Sequence, residues 1–113
     1  MVKAMAFIKR KPGVSRDEFV RHYEEVHAPL ALRCFPMFRK YVRNYYLDSV
    51  SGQEPDFDCV TEFWVDSMED VRAVVDLMRS ELGKLVRDDE KKFMDRAKTV
   101  SYLFEERASV LDS

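Results

Sequence analysis

Alternation opens the chain. In VKAMAFIK (2–9), Ala4, Ala6 and Ile8 interleave with Met5 and Phe7, predicting a strand that is apolar on both faces. KRKPG stops it, with Pro12-Gly13 as the turn. From Ser15 the period lengthens to three and four. Phe19, Tyr23, Val26, Leu30 and Ala31 make one stripe along a helix running to about Leu32. Ser15 and Glu18 begin it as a capping box, each side chain satisfying a free N–H of the first turn. Pro29 falls inside this helix, where it is expected to kink the axis or start a new turn after His27. Residues 38–48, FRKYVRNYYLD, predict an aromatic-rich second strand, 49–58 a polar loop, and 59–65, CVTEFWV, a third strand. Ser67 with Asp70 forms a weaker cap. Val71, Val74, Val75, Met78 and Leu82 then hold helical spacing to about Gly83, and a shorter helical stretch near 86–96 contains Phe93 and Met94. Residues 98–104, KTVSYLF, predict a last strand. Residues 107–113 read as a frayed tail behind a single domain spanning 1–106.

The order is β-α-β-β-α-β with one extra helical stretch, which is the α+β, ferredoxin-like plan: an antiparallel sheet with helices on one face. In the third strand Cys59, Thr61, Phe63 and Val65 carry no charge and suit the helix side. Val60, Glu62, Trp64 and Asp66 then point away, and Met5 and Phe7 share that second face. A bare face carrying Trp64, Phe7 and tyrosines needs a cover. The simplest cover is a second copy of the chain related by two-fold symmetry, so a homodimer is expected.

Composition narrows the functions. With 113 residues and charges nearly balanced at −2, there is no basic excess to hold a phosphate backbone, and nucleic acid is not expected as a partner. No apolar run approaches the roughly 18 residues of a membrane span. No signal peptide is read at the start, which points to the cytoplasm. Cys34 and Cys59 form no metal or redox spacing, and three isolated glycines, each read as a turn, make no phosphate loop. Nucleophile-elbow, zinc, Walker and dinucleotide signatures do not occur, so neither metal nor cofactor is expected. Acid–base catalysis or simple binding of a small molecule remains.

Few ionisable groups suit that chemistry. His22 and His27 lie five positions apart on the same helix. At about 100° per residue they point roughly 140° apart, so they share a site only if Pro29 distorts the backbone, and they make poor metal ligands. Each also reads as an ordinary helix histidine satisfied by a neighbouring carboxylate, and Glu18 and Glu25 lie near enough to His22 for that. Glu62, between Thr61 and Phe63, reads either as a proton shuttle with its ionised form disfavoured or as a rim residue in a salt bridge. Tyr41, Tyr45 and Tyr46 could donate hydroxyls to a substrate oxygen or serve as core aromatics. Asp88, Asp89 and Glu90, flanked by Arg87, Lys91 and Lys92, read as the solvated start of a helix.

KRKPGVSRDEFVRHYEEVHAPLA (9–31) resembles the N-terminal signature of the EthD family, with Pro12, Gly13, Phe19, His22, Tyr23, His27, Ala28, Pro29 and Leu30 at matching positions. Tyr23 stands where many relatives have Trp. FDCVTEFWVDSMEDV (57–71) is similar to the family's third strand and following helix, and DDEKKFMD (88–95) to its late Asp-Glu-x-x-Phe segment. The resemblance implies a dimeric α+β barrel and a distorted helix end near His27. Similar barrels include lactone isomerases, dehydratases and decarboxylases of aromatic polyketide pathways, haem-handling enzymes and cofactor-free monooxygenases. It makes His22 and His27 the first acid–base candidates. The preferred expectation is a cofactor-independent lyase or isomerase acting on a small apolar carbonyl compound such as an aromatic polyketide or lactone. The reaction would be a dehydration, decarboxylation, cyclisation or lactone isomerisation. One histidine takes a proton next to the carbonyl. Tyr45, Tyr46 or a protonated Glu62 hydrogen-bonds the enolate oxygen, and Met5, Phe7, Tyr23 and Trp64 line the pocket. The alternatives are a haem-binding or monooxygenase-type barrel with a histidine on iron, and a non-catalytic stress-responsive dimer.

Overall fold

Strand pairing organises the chain. In the computed structural model, which describes residues 1–112, β1 (Val2–Ile8) is flanked by β3 (Cys59–Val65) on one side and β4 (Val100–Phe104) on the other. β2 (Lys40–Tyr45) adds to the far side of β3, giving the antiparallel order β2-β3-β1-β4. Met5 stands opposite Glu62 on β3 and opposite Tyr102 on β4, so these three residues share a face. The helices are α1 (Arg16–His22), α2 (Ala28–Cys34), α3 (Met68–Arg79) and α4 (Glu81–Phe93), with a wide π turn, Tyr23–His27, joining the first two. The result is the expected ferredoxin-like α+β arrangement.

Both expected serine caps are present, though Glu18 accepts from the Ser15 hydroxyl at 3.1 Å in place of a backbone N–H, so the first box is made on one side only. Ser15 Oγ accepts from Glu18 N at 3.1 Å, and Ser67 Oγ from Asp70 N at 3.2 Å. The second half of the chain departs from the expected bounds. The helix does not run to Gly83 but stops at Arg79, because Ser80 leaves helical geometry. Ser80 then caps α4, its hydroxyl donating back to Leu77 O at 2.6 Å and accepting from Gly83 N at 3.2 Å. Gly83 is therefore no turn residue. It lies in the first turn of α4, packed so closely on α3 that an added Cβ would sit 2.0 Å from Leu77 O. Because α4 begins at Glu81, the acidic run 88–90 falls in its later turns and not at its start.

One sheet face takes the helices: Ala4, Ala6 and Ile8 of β1 and Cys59, Thr61 and Val65 of β3 are buried there. Two apolar clusters form beneath the helices, one around Ile8, Phe19, Tyr23 and Phe93, the other around Ala31, Phe35, Val65, Val74 and Val86. The opposite face, with Met5, Phe7, Val60, Trp64, Tyr102 and Phe104, carries no helix, and Tyr102 remains 57% exposed. The loop between β2 and β3 is tied at its end by Asp58, whose carboxylate accepts from Arg10 N at 2.8 Å. Residues 105–112 form neither helix nor strand and are exposed, and the last position of the expected tail lies outside the described residues. Among the described residues no helix is long and apolar enough to cross a membrane.

Candidate active site

The site begins with Pro29. A proline inside a helix donates no N–H, and its ring collides with the carbonyl four residues back. Here the backbone answers by widening. Ala28 N–H bonds Tyr23 O, five residues earlier, in place of a four-residue step. The wider turn changes which side chains stand above one another. His22 and His27, far apart around a regular helix, both reach the same carboxylate.

That carboxylate is Asp89. On α4, Val86, Asp89 and Phe93 are buried along one stripe, so Asp89 points into the helix layer. Its Oδ2 is 2.9 Å from His27 Nδ1, and His22 Nε2 is 3.0 Å from Oδ1 and 3.1 Å from Oδ2. The side chains of Asp89 and His27 are almost wholly enclosed, whereas that of His22 is 25% exposed. Phe93 lies against both imidazoles, with ring centroids 4.7 Å from His22 and 5.0 Å from His27. Lys92 Nζ is 3.9 Å from Asp89 Oδ1.

The network assigns the tautomer of His27. A carboxylate only accepts, so Nδ1 carries the proton and donates to Asp89, leaving a lone pair on Nε2. Burial pushes His27 below the ordinary imidazole range. The hydrogen bond to Asp89 opposes that shift without cancelling it, so the ring is neutral at neutral pH.

His27 opens onto a cavity of about 430 Å³ between the two apolar clusters. Phe35, Phe38 and Phe63 form an aromatic wall, and Val74, Met78 and Val86 close it from α3 and α4. Its polar lining includes a chain of hydroxyls. Tyr23 OH is 2.7 Å from Thr61 Oγ1 and 3.2 Å from Tyr41 OH. Burial raises Tyr23 well above its ordinary value and Tyr41 to about 12, so both phenols stay protonated and can donate. Glu90 also lines the cavity, its carboxyl raised by burial against the opposing pull of Arg96.

Of the residues singled out from the sequence, His27, Tyr23 and Tyr41 line this cavity, and His22 joins them through Asp89 without lining it. Tyr45 and Tyr46 do not line it. Tyr45 donates to Glu24 and packs edge-on against Phe19 and Tyr23, while Tyr46 donates to Glu54 and lies beneath Arg16. Met5, Phe7, Glu62 and Trp64 sit on the other face of the sheet. Strand alternation is the reason: Thr61 and Phe63 face the cavity, so Glu62 cannot. Lys3 Nζ, 2.6 Å away, holds the Glu62 carboxyl below the usual carboxylate range, which makes it ionised and not the protonated donor expected. Asp89, Glu90 and Thr61 complete the site instead. The sequence signal for Asp89 is a charge on the apolar stripe of α4, three residues after Val86 and four before Phe93. Among the described residues no group of three or more His, Cys, Asp or Glu is placed to hold a metal ion. Cys34 and Cys59 are buried and unpaired, and burial pushes the Cys59 thiol up to about 11.

A ferredoxin-like sheet whose helices carry two histidines and a shared aspartate over an apolar cavity defines a class of small α+β domain. Within that class, the EthD domain model matches residues 11–97, and the chain belongs to this family. It is similar to an ethyl tert-butyl ether D (EthD) family protein of Bacillus halodurans C-125, with TM-score 0.70 and 26% identity over 95% of this chain and 100% of that one. An EthD-like protein of Ralstonia eutropha JMP134 follows at TM-score 0.62 and 22% identity, covering 91% of this chain and 86% of that one. A dimeric protein of unknown function with a ferredoxin-like fold, from Bacteroides fragilis, aligns at TM-score 0.63 and 10% identity over 93% and 95% of the two chains. The last two likenesses concern the fold alone. No curated protein matches the chain.

Proposed function

We propose that this chain is an acid–base enzyme working without an organic cofactor, a lyase or isomerase for a largely apolar carbonyl compound such as an aromatic polyketide or lactone. His27 Nε2 takes a proton from the carbon beside the carbonyl. The C–H electron pair moves toward the carbonyl oxygen, where the Tyr41 or Tyr23 hydroxyl donates a hydrogen bond to the developing charge. Asp89 stabilises the imidazolium that forms. The proton then returns to a different carbon, completing an isomerisation, or leaves with a departing hydroxyl as water, completing a dehydration. The observation that carries this reading is the 2.9 Å hydrogen bond from His27 Nδ1 to Asp89, which leaves the other ring nitrogen free beside an apolar cavity. A suitable probe is 2-tetralone in D2O, with loss of its α-proton signals followed by NMR. The protein should accelerate exchange above buffer, and His27→Gln should lower the catalysed rate by about 10² to 10⁴. Exchange no faster than buffer, or a folded His27→Gln protein as active as the wild type, overturns the reading.

A homodimer belongs to the same proposal. The face opposite the helices carries Tyr102 at 57% exposure, Phe104 at 41% and Val100 at 43%, and Trp64 Nε1 is buried there without a hydrogen-bond partner among the described residues. A second copy laid across this face would cover the aromatic patch. The Bacteroides fragilis protein of like fold is a dimer.

A further inference from the structure

The charged lining of the cavity is unbalanced. Its charged side chains are Arg79, Arg87, Arg96 and Glu90, a local surplus of two positive charges in a chain whose net charge is −2. Arg96 Nε lies 3.3 Å from Glu90 Oε1, which occupies the one carboxylate present. Arg87 is half-buried and donates to Met78 O and to Ser80 O, neutral carbonyls at the end of α3. Arg79, the last residue of α3, is exposed to solvent and makes no ion pair among the described residues. Two guanidinium groups thus border an apolar chamber with no counter-ion of their own. A cation partly removed from water, as Arg87 is, is stabilised by an anion, and a guanidinium offers its donors in a planar fork that fits a carboxylate.

We propose that the cavity binds an apolar ring compound bearing a carboxylate, with its ring against Phe35, Phe38 and Phe63 and its anionic group at Arg79 and Arg87. This rests on the reading of the cavity as a substrate site and names the class of molecule that enters it. Glu90 opposes the anion, so its charge tunes the preference.

The test compares 2-naphthoate with neutral 2-naphthamide, two probes of one shape that differ in charge, by titration calorimetry at low ionic strength. Binding within the cavity is confirmed by shifts of the His27 ring signals in NMR. Naphthoate should bind about tenfold to a hundredfold more tightly, with the advantage shrinking in 0.5 M salt. Arg79→Gln should remove most of that advantage, and Glu90→Gln should enlarge it. Arg87→Lys should reduce it, but this variant also touches the end of α3, so Arg79→Gln decides. Equal binding of both probes with His27 signals still shifted overturns the anion site and leaves the acid–base reading intact. An intact preference with no His27-dependent exchange does the opposite. Failure of both probes to bind at millimolar concentration overturns the site itself.

Discussion

Replacing Asp89 by Asn tests the centre of the mechanism with one atom. The carboxylate accepts from His27 Nδ1 at 2.9 Å and from His22 Nε2 at 3.0 Å. An amide keeps one acceptor and gains an NH2 donor. With its oxygen at the Oδ2 position it accepts from both rings, at 2.9 and 3.1 Å, but without a negative charge; with its NH2 there it meets His27 Nδ1 as a donor, and the ring must turn its lone pair toward it. If His27 does so, its proton moves to Nε2 and no base faces the cavity. The analogous exchange of the buried aspartate in serine proteases, which leaves the histidine in the wrong tautomer, costs about 10⁴ in turnover. Here a drop of about 10² to 10⁴ in 2-tetralone exchange is expected. Stability should fall less dramatically. Hydrogen bonds to a charged group contribute about 1.5–3 kcal/mol, but the buried carboxylate also sheds its desolvation cost, leaving a net loss of about 1–3 kcal/mol. Nitrogen NMR of the two imidazoles separates the effects, since protonated and bare ring nitrogens resonate far apart. Wild-type His27 should carry its proton on Nδ1, and Asp89→Asn should deplete that form. Finding the proton on Nε2 of the wild type, or an exchange rate in Asp89→Asn within twofold of the wild type, refutes the reasoning.

Other expectations follow from the same geometry. Because burial lowers the His27 pKa, α-proton exchange should rise with pH through an inflection below 6.5 and be level above it. The same shift bears on stability. The unfolded ring binds its proton more readily than the folded one, so this contribution is complete above pH 6.5 and is lost as pH falls toward the folded value; urea midpoints of His27→Gln should lack that component. Gly83→Ala should cost about 1–3 kcal/mol or more in urea unfolding, since its Cβ would meet Leu77 O at 2.0 Å and a backbone atom cannot step aside. Sedimentation at micromolar concentration should give a particle of about twice the 13.4 kDa chain, reduced to the single chain by Tyr102→Glu; a wild type that sediments as a single chain sinks the dimer.

Local rules carried much of the fold. Ser15 and Ser67 cap their helices as expected, and the odd-numbered residues of β3 do face the helices. The site was harder to read because it depends on a departure from local rules. A step of 100° per residue sets His22 and His27 on different sides, and only the widened turn at Pro29 reunites them. Asp89 sits among charges, and charged runs are usually solvated. Its burial follows from a partner 62 residues away in sequence, which no local pattern encodes. Gly83 resembles a helix stop, yet Ser80, three residues earlier, caps a new helix that passes through it. Tyr45, Tyr46 and Glu62 have the right chemistry, but the sheet turns them elsewhere.

With one carboxylate answering to two rings, neither histidine has a private hydrogen-bond partner. A positive charge on His22 lowers the readiness of His27 to accept a proton. Substitutions at His22 and His27 will therefore be far from additive, because removing either ring changes the hydrogen bonds that Asp89 offers the other.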